Sequence, residues 1–334
     1  MVKLKKPKNS QVVWQYMDFI KFVSILDKDA LFFNRVDKFD DVHEGLLPYF
    51  DNLVVYISEK IFDIILSNVH FYRINSPQNQ SEYIDELAIK LIPIDSHNAL
   101  EKSKKLAELL VSPEQNEEVL KLIISQEIKT SIKKSSDFLR QFTAANCWFM
   151  GDESVAMWKL YSSEKTGVAI KTTFGKLYNS FSDKNLKFSE IKYTSSPNDY
   201  LKTLNGTFCE DGNLWANIQT HSITEKIIKK AINPYFIKRN CFENEKELRI
   251  LKQKDYKYFL TNQTDLKDVW PEVYGEYIPV DVNELIEEIY VSPKAQDWFV
   301  YQLKSLLNQY GFFNLTSKVK KSELYVNPLI SGDF

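Results

Sequence analysis

Val12-Val13-Trp14-Gln15-Tyr16-Met17, followed by Asp18, Phe19 to Leu26 and then Leu31 to Val36, reads as strand, helix, strand. β-branched and aromatic residues fill the first run, Asp18 stands where a helix N-cap belongs, and the apolar residues of Phe19 to Leu26 recur at helical spacing. Leu31 to Val36 returns to extended character. It delivers the acidic loop Asp37 to Glu44 straight after the second strand, where functional loops commonly sit.

Outward from this unit the texture changes. Leu53 to Val69, Ser81 to Ile92, Ala99 to Val111 and Glu117 to Phe138 carry apolar residues three and four apart, so 51–140 is expected to be a helical insertion or subdomain within one domain spanning 1–334. Beyond it, Phe142 to Phe149, Gly167 to Thr173, Leu186 to Thr194, Glu247 to Lys252, Tyr277 to Val282, Glu288 to Val291 and Phe312 to Val319 read as strands. Ser154 to Tyr161, Ile223 to Ile232, the turn Asn283 to Ile286 and Lys294 to Tyr310 read as helical. Strands on both flanks of the helical block imply an α+β fold, with a central, mostly antiparallel or split sheet assembled across the insertion.

Composition sets the class. The chain has 334 residues, 44% hydrophobic and 14% aromatic, which is ample for a buried core. A net charge of -2 argues against a generally basic surface for nucleic acid and leaves a local patch open. Arginine is scarce, at Arg35, Arg73, Arg140, Arg239 and Arg249 only, and with abundant Asn and Ile this reads as AT-biased bacterial coding. Cys147, Cys209 and Cys241 form neither close pairs nor a zinc pattern. No apolar run is long enough to span a bilayer, so the expectation is a soluble, cytoplasmic protein without a membrane partner.

Three clusters carry chemistry. In the loop, Asp40, Asp41 and Glu44 are oxygen donors suited to Mg²⁺, or caps for a following helix, and His43 is a surface or hydrogen-bonding residue in the plainer reading. In Met157-Trp158-Lys159-Leu160-Tyr161, Trp158 and Tyr161 lie three apart on one helical face, as a stacking floor for an aromatic ligand or as core. In Glu245-Lys246-Glu247-Leu248-Arg249-Ile250, strand alternation puts Glu245, Glu247 and Arg249 on one face. That arrangement is either a tuned acid or a salt-bridged edge strand.

Together the clusters resemble an uncharacterised family of bacterial proteins, a domain of unknown function. The likeness rests on Trp14-Gln15-Tyr16 in a first strand, a Phe-Asn-Asp-Pro-x-Glu-like loop, a Cys-Phe-Ser-like strand, a Met-Trp-x-x-Tyr helix before Gly167-Val168-Ala169-Ile170, and a Glu-x-Glu-x-Arg strand. Val42 stands in place of the loop proline, and Phe142-Thr143 lies apart from Cys147-Trp148, which places the cysteine outside essential chemistry. More distantly, the opening strand, helix and strand, the late glutamate strand, and Ile278-Pro279-Val280 with Ile286-Glu287-Glu288-Ile289-Tyr290-Val291 look like the layout of ADP-ribosyltransferase folds. That resemblance implies NAD as substrate and an unknown protein or nucleic-acid acceptor. It makes Glu247 the carboxylate acting on the ribose, with Glu245 polarising the acceptor. It also makes Tyr16 the first-strand residue that holds NAD and Tyr161 the lining of the nicotinamide pocket, beside which Trp158 would complete the stacking floor, with Arg249 or Arg35 positioning the phosphates. The usual first-motif arginine or histidine is Tyr16 here, and no Ser-Thr-Ser strand is present. A toxin or phage-defence role follows by analogy.

Two other classes compete. Asp40 or Asp41 with Glu247 and Arg249 imitates the acids of a Mg²⁺-dependent nuclease, and the aromatic cluster suits a non-enzymatic binding module. The sequence argues against nucleotide-triphosphate hydrolysis and Rossmann dehydrogenase chemistry, since the chain has neither a Gly-Lys-Ser/Thr loop nor a Gly-x-Gly-x-x-Gly turn.

Overall fold

A computed structural model describes residues 4–41, 45, 118, 122, 125–126, 129, 137, 140–195, 234–254 and 270–325. The expected insertion over 51–140 and the expected helix at Ile223 to Ile232 lie almost wholly outside the described residues. The chain divides into two compact units, and the one formed by Leu4–Glu44, Arg140–Tyr193 and Lys238–Phe334 holds the sheet. Among the described residues no helix is long and apolar enough to cross a membrane.

The elements run β1 (Val12–Asp18), α1 (Phe19–Lys28), β2 (Ala30–Arg35), β3 (Thr143–Met150), α2 (Val155–Tyr161), β4 (Gly167–Thr173), α3 (Phe174–Asn179), β5 (Lys187–Glu190), β6 (Lys192–Thr194), β7 (Ile237–Arg239), β8 (Glu247–Gln253), β9 (Gly275–Pro279), α4 (Val282–Leu285), β10 (Glu288–Val291), α5 (Asp297–Gln309) and β11 (Val319–Lys321). The fold is α+β, as the sequence implies. The main sheet has the order β11-β10-β4-β1-β3-β2-β9, with β8 against β3 and β5 against β8, while β6 and β7 make a separate two-stranded sheet. In the main sheet the β10–β11 pair is parallel, and β1–β3, β1–β4, β4–β10, β2–β3, β2–β9, β3–β8 and β5–β8 are antiparallel.

The sheet parts at β3. β8 lies along one edge of β3 from Thr143 to Phe149. The other edge is shared: Val13 and Trp14 of β1 stand beside Met150 and Phe149, and Asn34 and Arg35 of β2 stand beside Ala145 and Ala144. Between these contacts the strands diverge and side-chain amides fill the gap. Gln15 Nε2 donates to Asn146 Oδ1 at 3.1 Å, Asn146 Nδ2 donates to the Phe32 carbonyl at 3.0 Å, and Trp148 Nε1 donates to Asn146 Oδ1 at 2.7 Å. Asn146 and Trp148 are buried, and the Phe32 carbonyl beside the split is answered by a side-chain amide.

Residues directly opposite each other in a sheet share a face. On one face Trp14, Tyr16 and Ala169 pack with Met157 and Trp158 of α2. Ser154 caps α2 by accepting the Met157 N–H. Val13, Met17, Val168 and Ile170 alternate onto the other face and are buried there.

Several boundaries differ from expectation. Asp18 occupies the α1 N-cap position without a capping hydrogen bond. The single strand expected over Leu186 to Thr194 is broken at Ile191, whose N–H donates to the Glu247 carbonyl at 2.8 Å. Asp281 accepts from Asn283 and Glu284 N–H and starts α4, ending the expected Tyr277 to Val282 strand early. Most of Phe312 to Val319 is a 3₁₀ turn, and the strand there covers Val319–Lys321.

Candidate functional site

The site is built on β8. The 3₁₀ turn Asn240–Glu245 precedes it, and Lys246, at a φ of 37°, turns the chain into the strand. Lys246 and Glu247 are anchored by their carbonyls, which accept from Met150 and Ile191 N–H, each at 2.8 Å. The Tyr193 hydroxyl accepts the Glu247 N–H at 2.9 Å.

Strand alternation then places Arg249 beside Glu247. Arg249 Nε meets Glu247 Oε1 at 2.5 Å and Nη2 meets Oε2 at 3.0 Å, a forked pair with the guanidinium fully buried. A second cation arrives from β7, where Lys238 Nζ lies 2.6 Å from Glu245 Oε2 and 2.9 Å from Glu247 Oε2. Cys147 of β3 is in register with Arg249 of β8, on the strand that carries Glu247. Burial pushes the Glu247 carboxyl up, but Arg249 and Lys238 outweigh it and hold the group down at about 2, so it is ionised at neutral pH. The Cys147 thiol is pushed up by burial and by Glu247, against Arg249 and Lys238. Such a thiol is a weak nucleophile.

The other two clusters reach the same place. The Phe39 ring centre is 5.9 Å from the Arg249 guanidinium carbon, and Asp41 Oδ1 is 3.4 Å from Arg239 Nη2. Lys238 and Arg239 both lie over the Phe242 ring, at 5.2 and 5.3 Å. Tyr161, at the end of α2, is 46% exposed. Its phenol is raised by partial burial, then by Glu245 and Glu247, with Lys238 opposing, which places it within the field of both carboxylates.

The remaining expected site residues are placed differently. Tyr16 and Trp158 are buried in the aromatic cluster with ring centres 5.0 Å apart; the Tyr16 hydroxyl accepts the Ser154 N–H at 3.0 Å, and Trp158 Nε1 donates to Glu153 Oε1 at 2.8 Å. Arg35 is committed to Asp37 through Nε at 2.9 Å and Nη2 at 2.7 Å, and to the Val273 carbonyl through Nη1 at 3.2 Å. Asp40 is exposed, and His43 and Glu44 lie outside the described residues. Glu245 ends the preceding turn instead of sharing the strand, yet meets Glu247 through Lys238. Among the described residues no group of three His, Cys, Asp or Glu is set to hold a metal ion. Lys238 and Tyr193 had no distinguishing pattern, since one lies in a three-residue strand of a lysine-rich chain and the other in an ordinary strand.

Tyr16 thereby carries a testable structural role. Tyr16→Phe leaves the Ser154 N–H without its acceptor and is expected to cost about 1 kcal/mol in urea unfolding. No loss of stability would show that water replaces the phenol.

Residues 157–250 match a family described as "Protein of unknown function (DUF2971)". The matched span holds Trp158, Tyr161, Tyr193, Lys238, Glu245, Glu247 and Arg249, whereas Phe39, Asp41 and Cys147 precede it. No curated protein and no solved structure matches the chain.

Proposed function

We propose that the chain is an NAD-using, ADP-ribosyltransferase-like bacterial enzyme acting in the cytoplasm, with Glu247 as the carboxylate that stabilises the ribosyl cation. The supporting observation is the meeting of three sequence-distant segments, at Phe39 and Asp41, at Tyr161, and at Glu245 to Arg249, around a carboxylate held ionised at about 2.

The bond between the ribose C1′ and the nicotinamide nitrogen breaks with its electron pair leaving on neutral nicotinamide, so positive charge develops on the ribose. A fixed carboxylate stabilises that charge. An acceptor lone pair then forms the new bond to C1′, and the acceptor proton passes to Glu245 or water. The exposed Tyr161 ring offers the nicotinamide a flat wall, while Tyr16 supports α2 from beneath by packing against Trp158. Arg249 and Arg35 serve carboxylates in this arrangement, so the phosphate contact falls to Arg239, whose side chain is 47% exposed. The acceptor is a protein or nucleic acid, and a toxin or phage-defence setting follows by analogy with the fold.

A second reading has its own observation. Glu247 is paired on both oxygens, which also suits a ligand-binding module whose acids are structural.

Purified protein incubated with NAD labelled in the adenylate and with bacterial lysate is expected to release nicotinamide and transfer label. Glu247→Gln is expected to lower release roughly 10²-fold or more, and Tyr161→Ala, at an exposed ring, to raise KM. Melting curves must show each variant folded, because Glu247 is buried. A folded wild type that leaves NAD intact overturns the enzyme, and an NAD-dependent rise in melting temperature without turnover selects the binding module.

A further inference from the structure

We propose that Lys238 is the positioning residue of the Glu247 site, setting the charge and orientation of both glutamates from a separate strand. The inference rests on the transferase reading for its chemistry and on geometry for its substance. Arg249 already forks onto Glu247, but it lies two residues along the same strand. The Lys238 ammonium comes from β7 and touches both carboxylates, 2.6 Å from Glu245 and 2.9 Å from Glu247. With the ammonium removed, Glu247 is left beside a second carboxylate in a mostly buried space without one of its two cations, which favours its protonated form.

Among the described residues, the groups facing this triad come from several elements. β8 supplies Arg249, and β3 supplies Cys147, in register with Arg249. Tyr193 of β6 accepts the Glu247 N–H, and Tyr161 of α2 lies in the field of both acids. Arg239, next to Lys238, pairs with Asp41 of the acidic loop. Lys238 and Arg249 are therefore the cations in direct contact with Glu247 among the described residues, and Lys238 alone of the two also reaches Glu245.

Lys238 is 11% exposed at its side chain, so it bridges the acids from inside the site instead of from bulk solvent. A substrate cation developing beside Glu247 meets a carboxylate whose plane is set by Arg249 and whose second oxygen is shared with Lys238. Loss of the ammonium is expected to act on turnover through Glu247 without removing a substrate contact.

The test combines carboxyl-¹³C NMR titration of the glutamates with the pH profile of NAD turnover in wild type, Lys238→Met and Lys238→Arg. In Lys238→Met one carboxyl of the pair is expected to titrate about one to three units higher than in wild type, and the acid limb of turnover to rise with it. The kcat is expected to fall roughly 10²-fold with little change in KM, and Lys238→Arg to restore both readouts in large part. If Lys238→Met does not fold, the same titration is made on Lys238→Gln, which keeps a polar but uncharged side chain there, and the same upward move of the Glu247 midpoint is expected. An active enzyme whose titration and pH profile stay unmoved in Lys238→Met overturns the inference alone. A wild type inert to NAD, with a midpoint that moves as stated, overturns the transferase reading and leaves Lys238 as the residue that sets the charge of Glu247.

Discussion

Arg249→Met is expected to destabilise the protein by about 3–5 kcal/mol, because it strands a buried carboxylate that has lost its forked partner. The loss is read as a lowered urea midpoint at unchanged slope. Glu247→Met together with Arg249→Met is expected to cost less than Arg249→Met alone, since Lys238 and Glu245 still satisfy each other at 2.6 Å. The pH dependence carries a definite sign. Glu247 is held at about 2 against an ordinary 4.5, so its contribution, on the order of 3 kcal/mol, is present above pH 4.5 and lost as the pH falls from there towards 2. Arg249→Met should flatten that acid limb. A loss below about 1 kcal/mol, with the limb intact, would mean that the pair contributes little to the fold.

Gly275→Ala is the second large effect, and its cause is steric. A Cβ on Gly275 would lie 1.9 Å from the Phe33 carbonyl oxygen and 2.9 Å from its carbon. Both neighbours are backbone in the facing strand, so no side chain can rotate away. β9 must therefore withdraw from β2 along the pairs Ala30 to Asn34 with Pro279 to Gly275. The Phe32 and Tyr277 rings, 4.9 Å apart, and the Ser24 to Tyr277 hydroxyl hydrogen bond at 2.8 Å depend on that ladder. The expected cost is about 3 kcal/mol or more, with faster amide exchange in β2 and β9 than in β4. Uniform exchange with an unchanged melting temperature would show that the strands can part without penalty.

Much of the fold was legible where local pattern and burial agree. Gly167 to Thr173 is a strand with the expected bounds, because its apolar residues are buried between β1 and β10. Glu288 to Val291 also matches, and the opening strand, helix and strand shift by a residue or two. The alternation of Glu247 with Leu248 and of Arg249 with Ile250 placed acid and base together before any coordinates, since a strand allows nothing else. Where the reading failed, a tertiary contact decided. Trp158 and Tyr161 share a helical spacing, yet one is buried against Tyr16 and the other is exposed, because the sheet covers only part of α2. Arg35 looked like a phosphate ligand in an arginine-poor chain, but Asp37 lies close enough along the loop to capture it. Lys238 was illegible because nothing local distinguishes a lysine that will meet two acids seven and nine residues later from one that faces water.

The shared edge of β3 also bears on how the protein comes together as it is made. Phe149 is paired with Glu247, about a hundred residues further along, so the central strand leaves the ribosome long before its full-length neighbour exists. The two early N-terminal strands, β1 and β2, can hold only its two ends. Assembly of the sheet is thus a late, long-range event with a high contact order, and the acid-bearing strand that completes the proposed site is also the one that gives the central strand its full-length neighbour.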